Sequence, residues 1–293
     1  MHKTWWDSVR TFFASKIFRT LAVISLALGV YTVIVHKIEP LLFEEDLNFA
    51  TTISGFFGLT MSILMVYRTN GAYDRWWEGR KVWGQLVNEC RNLVVKACTL
   101  SQAPVEETQA LQALVAAFPP ALRDHLRGIR TAGSIVPASV VHGPNYVAEK
   151  VFEKLQAWRE AGKLNDFAFL ALNEHARAFL DVCGVCERIQ KTPLPLSHRA
   201  LIPQMLSLYF LVLPWGIEYH QTAALLVVVL GYFLIGLELI ADGLERPFGT
   251  EDDSLPLESL CEGIATATLE VVERQSRSII LKVPDVDTES ALC

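Results

Sequence analysis

The chain has 293 residues, 51% of them hydrophobic and 20% charged, with a formal net charge of −6. That acidic balance gives no basis for a nucleic-acid partner, and a mean hydropathy of +0.29 is high for a soluble enzyme. Apolar residues cluster near 20–38, 47–67 and 201–241, and charges concentrate in 68–199 and the tail. This is the pattern of a membrane protein with a substantial cytosolic part.

Residues 1–19 place Trp5, Val9, Phe12 and Phe13 at helical spacing, with Lys3, Arg10, Lys16 and Arg19 around them. A short helix lying in the membrane interface is predicted there. No small-residue cleavage site follows the next apolar run, so it reads as an uncleaved anchor. The first span is Thr20–Val35. The connection from His36 to Asn48 holds one lysine against Glu39, Glu44, Glu45 and Asp46. Basic residues before the span and few after it put the N-terminus in the cytosol and the connection outside. The second span, Leu47–Tyr67, returns at Arg68, so residues 20–67 carry transmembrane helices 1 and 2. No proline interrupts Asn48–Trp83, and a single helix leaving the membrane and continuing into water is predicted.

Residues 68–199 read as a cytosolic helical domain. Leu86, Cys90, Leu93 and Val94 continue an apolar helical face. Glu106–Arg130 is predicted to be one or two helices broken near Pro119 and Pro120, and 131–145 to be a loop. Tyr146–Ala161 and Leu164–Gln190 follow as helices, until the prolines of 191–196 stop the second. Residues 200–241 supply transmembrane helices 3 (Ala200–Trp215) and 4 (Ala223–Ile240). Residues 242–293 form a cytosolic acidic turn, a helix over Leu257–Arg277 and a tail. The predicted fold class is therefore an all-α membrane protein with four spans and both termini cytosolic.

Leu59, Ile63 and Tyr67 form a nearly straight apolar stripe, since four residues advance ~400° around a helix. Such a stripe serves helix–helix packing, or lines a pore in which stacked apolar rings gate ions by expelling water. Cys183 and Cys186 form a lone CxxC lacking the second pair or histidine of a zinc site, so burial as small apolar residues is expected. The six cysteines (Cys90, Cys98, Cys183, Cys186, Cys261, Cys293) lie outside the apolar runs, which argues against a disulfide framework. Asp242, Glu245, Glu251, Asp252 and Asp253 surround a Pro-Phe-Gly turn, as a Ca²⁺ site or a solvated turn would have them. Glu238, near the end of span four, reads as reaching for the interface. No histidine cluster, phosphate loop or serine nucleophile motif is visible, so enzyme readings have little to stand on. Nor are the paired broken spans with intramembrane charges of a secondary transporter.

Arg68, Asn70, Ala72, Tyr73 and Arg75 run straight out of span two, followed by Glu78, Arg80 and Trp83. Cys186-Glu187-Arg188-Ile189 leads to Thr192-Pro193-Leu194-Pro195, and Glu245 to Asp252 make an acidic Pro-Phe-Gly turn after span four. In this order, across about residues 5–275, these segments resemble the bestrophins, specifically their bacterial homologues. The resemblance implies a homopentameric ion channel in the inner (plasma) membrane. Its partners would be copies of itself, membrane lipid and permeant monovalent ions, with neither cofactor nor metal. It further implies a hydrophobic neck on span two at Leu59, Ile63 and Tyr67. The family neck usually ends in Phe, and Tyr67 adds a hydroxyl that would make the ring easier to wet. A second, cytosolic aperture falls at Phe167. Animal bestrophins carry a Ca²⁺ clasp at the acidic turn. Here Glu251, Asp252 and Asp253 remain, but Gly243 offers no side-chain oxygen and Ser254 only a neutral hydroxyl where the clasp would want stronger oxygen ligands, so no Ca²⁺ gating is expected. The family name points to chloride, whereas bacterial members are linked to monovalent cations. Glu39, Glu44, Glu45 and Asp46, repeated around an outer mouth, would concentrate cations. Monovalent cations are therefore the expectation, an anion channel of the same architecture the alternative, and a redox or scaffold protein using Cys183 and Cys186 the reading from another class.

Overall fold

In the computed structural model the described residues are 6, 10, 13, 16–42, 48–130, 135–217 and 222–280. Among them every regular element is helical: α1 (Lys16–Leu42), α2 (Asn48–Leu100), α3 (Val105–Leu126), α4 (Gly143–Glu160), α5 (Asp166–Lys191), α6 (Leu196–Val212), a 3₁₀ turn (Leu213–Gly216), α7 (Ala223–Leu244) and α8 (Leu257–Ile280). The interfacial helix predicted over 1–19 lies largely outside the described residues, as do Glu44, Glu45 and Asp46.

The chain divides into two compact units. One holds the described residues up to Trp76 together with Pro193–Arg246 and Glu251–Asp253. The other holds Trp77–Thr192, Pro247–Thr250 and the described residues from Ser254 onward. The 53 residues of α2 contribute to both; at 1.5 Å per residue this helix is about 80 Å long. The sequence predicts one helix over Asn48–Trp83 and an apolar helical face continuing to Val94, and the helix runs on to Leu100.

In the first unit α1 packs along α7. Ile17–Leu41 and Ala223–Leu244 are long and apolar enough to cross a membrane, with mean hydropathies of 2.0 and 2.5. The spans expected in the first half of α2 and in α6 are the less apolar pair. Two glycines permit close helix approach. A Cβ at Gly29 would fall 2.6 Å from Val228, and one at Gly231 would fall 2.8 Å from Leu28. Met61 and Met65 of α2 join Ile202, Leu206, Tyr209 and Phe210 of α6, Leu213, and Val227 of α7 in one buried apolar cluster. The hydroxyls of Thr60 and Ser62 donate to the carbonyls of Phe56 and Gly58, each at 2.9 Å. Hydroxyl groups in this apolar stretch are thus satisfied within the helix, as a lipid environment requires.

In the second unit α3 packs on α4 and α8, and α4 on α5. Trp83, Leu86, Cys90, Leu93 and Val94 of α2 are buried, as are Phe118, Trp158 and Phe179. Phe118 and Phe179 stack at 4.7 Å between ring centroids.

Three boundaries differ from the sequence reading. Pro119 and Pro120 do not break α3. They cost backbone hydrogen bonds, but burial of Phe118, Pro119, Ala121 and Leu122 holds the turns on both sides in place. α1 runs on through His36 and Pro40 to Leu42, so Glu39 belongs to a helix and not to a connection. α4 begins at Gly143, inside the predicted loop, because Pro144 occupies its first turn and His142 caps it, Nδ1 accepting from the Asn145 amide at 3.2 Å.

Candidate functional site

The first half of α2 has two unlike faces. Met61, Met65, Arg68 and Ala72 recur at steps of four, three and four residues and are all buried, the repeat of one helical face. Leu59, Ile63 and Tyr67 lie on the opposite side and are 64%, 52% and 68% exposed. Large apolar side chains this exposed on a helix whose other face is packed make an unpartnered stripe. Phe167 stands in the first turn of α5 and is 86% exposed, while Leu172, Phe179 and Val182 of the same helix are buried. Glu39 is part-exposed and lies 3.6 Å from Nδ1 of the buried His36.

At the lower end of the stripe is a polar centre absent from the sequence reading. Arg68 is 1% exposed. Its Nη1 donates to Glu245 Oε2 at 2.7 Å, and its Nε lies 3.4 Å from the Glu238 carboxylate. Glu238 therefore pairs with a buried arginine instead of reaching for the interface. The other Glu245 oxygen accepts from the Leu194 amide at 3.3 Å and lies 3.5 Å from Arg199. Arg75 Nε donates to the Glu245 carbonyl at 2.7 Å, and Trp76 Nε1 donates to the Asp253 carbonyl at 3.0 Å. Arg68 and Arg75 of the quoted motif thus lock α2 to the end of α7, and Trp76 locks it to the acidic turn. The available signal was the pairing of a lone arginine just past one span with acids at the end of another.

The acids of the turn do not converge. Arg246 pairs with Asp242 and, at 3.2 Å, with Glu251. Asp253 packs beneath Gly243, where an added Cβ would sit 3.1 Å from Oδ2. Burial, and then the neighbouring Asp252 and Glu251, push the Asp253 carboxyl above its ordinary range. Among the described residues, the three-ligand group whose ligand atoms lie within 4.8 Å of one another is elsewhere, at His125, His142 and Glu187.

Cys183 and Cys186 are buried. Burial, followed by Glu187, pushes the Cys183 thiol from 9.0 up to about 12, and Cys186 is also raised, chiefly by burial. A thiol so seldom ionised is a poor nucleophile. Iodoacetamide at pH 8 is expected to label these two cysteines at least about a hundredfold more slowly in the folded protein than after denaturation. Fast native labelling, followed by mass spectrometry, would reopen the redox reading.

Fold and site together describe an all-helical membrane protein whose longest helix leaves an apolar stripe uncovered. Solved structures share this fold. A crystal structure described as a membrane protein matches with a TM-score of 0.78 at 21% identity, covering 87% of this chain and 98% of that one. A bacterial bestrophin homologue from Klebsiella pneumoniae matches with a TM-score of 0.77 at 21% identity over the same shares. Residues 1–270 match the family described as Bacterial/Fungal Bestrophin protein. The chain is 34% identical over 231 residues, 75% of its length and 74% of the relative's, to a protein of Mesorhizobium japonicum named a voltage-dependent anion channel-forming protein. An Escherichia coli K12 protein of the same description is 31% identical over 228 residues, covering 73% and 74%. The chain belongs to the bestrophin family, in its bacterial and fungal branch. It is accordingly a membrane-embedded ion channel of that family and not an enzyme.

Proposed function

We propose that the chain assembles as a homopentamer in the inner membrane, with both termini cytosolic, and passes small monovalent ions through a neck of Leu59, Ile63 and Tyr67. The observation that carries this reading is the exposed stripe itself. A single copy leaves it uncovered, and five copies around one axis turn it into stacked apolar rings that hold or expel water. Phe167, equally uncovered, is the proposed second constriction.

For the permeant ion, the reading moves from cations to anions. Relatives at 34% and 31% identity are named anion channel-forming proteins. The outer acids that favoured cations offer weaker support: Glu39 sits within α1 beside His36, and an apolar neck selects little by charge. The cation reading retains one specific observation, the run of Glu44, Glu45 and Asp46 in the sequence.

Liposomes containing only this protein decide between the two. In a tenfold KCl gradient an anion pathway reverses near the chloride potential, about 59 mV from zero, and a cation pathway reverses near the potassium potential, of opposite sign. If the cation reading holds, replacing Glu39, Glu44, Glu45 and Asp46 by amides moves the reversal toward zero. Flux no greater than in protein-free liposomes would overturn the channel itself. Sub-millimolar Ca²⁺ is expected to leave the current unchanged, because Arg246 occupies Glu251 and the remaining acids offer no converging oxygen set. A Ca²⁺-dependent current would refute this. Full flux after Cys183→Ala with Cys186→Ala would separate the channel from any thiol chemistry.

A further inference from the structure

In the second unit, two histidines and a glutamate far apart in sequence meet at one point. Nε2 of His125, in the last turn of α3, lies 2.8 Å from Glu187 Oε1. Nε2 of His142, the cap of α4, lies 2.8 Å from the same oxygen. The two imidazoles face each other at 4.1 Å between centroids. Lys191, one turn along α5, donates to the other Glu187 oxygen at 2.7 Å. All three ligand residues are part-exposed, so an ion from solvent can reach them.

We propose that His125, His142 and Glu187 form a binding site for a transition-metal dication of the zinc class. Two imidazole nitrogens and one carboxylate oxygen make a ligand set suited to Zn²⁺, Co²⁺ or Ni²⁺ and ill suited to Ca²⁺ or Mg²⁺, which take oxygen. In a tetrahedral site with bonds of about 2.0–2.1 Å, ligand atoms stand about 3.3 Å apart, so each imidazole nitrogen needs to move about half an ångström away from Glu187 Oε1. Lys191 holds Oε2 and leaves Oε1, the oxygen both rings already face, as the single carboxylate ligand; an outer partner of this kind orients a ligand. The fourth position opens to solvent.

One internal bond must change. His142 Nδ1 accepts from the Asn145 amide, so the neutral ring carries its proton on Nε2. A metal on Nε2 leaves the ring proton on Nδ1 and releases that cap bond. The metal takes over the cap's role by tying the start of α4 to α3 and α5. α5 is also the helix that bears Phe167.

Full-length protein purified in detergent, stripped with chelator and titrated with ZnCl₂, is the test. The expected result is about one zinc per chain by elemental mass spectrometry after desalting, a higher melting temperature with zinc, and visible Co²⁺ bands of four-coordinate intensity. His125→Ala and Glu187→Gln each weaken binding at least about tenfold, while Glu153→Gln, at an exposed carboxylate paired with Lys150, does not. If His142→Ala melts early for want of its cap, His142→Asn restores a capping oxygen without an imidazole, and its zinc binding must still fall. Substoichiometric zinc, or stoichiometric zinc that survives the combined loss of both histidines, overturns the site. Millimolar Ca²⁺ is expected not to displace the zinc, and displacement would equally count against the nitrogen-based site.

Discussion

Replacing Leu59, Ile63 and Tyr67 together by alanine is expected to raise single-channel conductance at least about tenfold. Three apolar rings lose most of their bulk, so the neck widens and holds water more readily. Lowering the barrier by about 1.4 kcal/mol is sufficient for a tenfold change in rate. The comparison that gives the result meaning lies on the other face of the same helix. Met61→Ala and Met65→Ala open cavities in the cluster with Leu206, Phe210 and Val227, at about 2–5 kcal/mol each. These variants are expected to melt earlier while the surviving channels conduct as the parent does. Planar-bilayer recording on both sets separates a lining from a packing role. Unchanged conductance in the triple variant would return the stripe to helix packing. Tyr67→Phe alone is the finer probe, because removing only the hydroxyl should make the lowest ring harder to wet and reduce the current.

Arg68→Ala is expected to be among the most destabilising single changes in the first unit, by about 3–5 kcal/mol. It leaves Glu245 and Glu238 buried without the guanidinium that now faces both, and an uncompensated buried charge costs far more than a pair contributes. Glu245→Gln is milder, because its one amide oxygen still accepts from Arg68, although the amide nitrogen then faces the Leu194 N–H, another donor. Arg68→Lys does not restore the parent, since an ammonium group cannot address two carboxylates with the fixed fork of a guanidinium. Melting temperatures in detergent should rank the parent first, then Glu245→Gln, then Arg68→Ala. An Arg68→Ala protein as stable as the parent would show that the two acids find other partners.

The helical class and the unbroken run of α2 through Trp83 are legible because they depend on local properties. Hydropathy, the absence of proline over Asn48–Trp83 and a repeat near 3.6 residues are carried by neighbours along the chain. The same arithmetic singled out Leu59, Ile63 and Tyr67 as one face, but it could not tell an uncovered face from a packed one. That required knowing where α6 and α7 lie, since their side chains cover Met61 and Met65 and leave the opposite side bare. Pro119 and Pro120 show the converse. Their local effect is to break a helix, and burial of the surrounding turns outweighs it.

Sites made from distant residues were the least legible. His125, His142 and Glu187 have no spacing that a linear pattern would register, whereas the lone CxxC on the same helix reads, and is, a pair of buried small apolar residues. Arg68 was quoted as part of a motif, while its partners Glu238 and Glu245 were read separately as an interfacial acid and part of a solvated cluster. The sequence by itself determined an all-helical, strongly apolar chain with one long helix running unbroken through Trp83, because those properties are sums over adjacent residues; the channel reading rests on the resemblance of its motifs to the bestrophins. Tertiary structure alone decided that Arg68 is buried between two carboxylates, that the acidic turn is held by Arg246, and that two histidines share one glutamate oxygen. The first and last of these are meetings of side chains distant in sequence, and only the packing of the helices that carry them brings those groups within reach of one another.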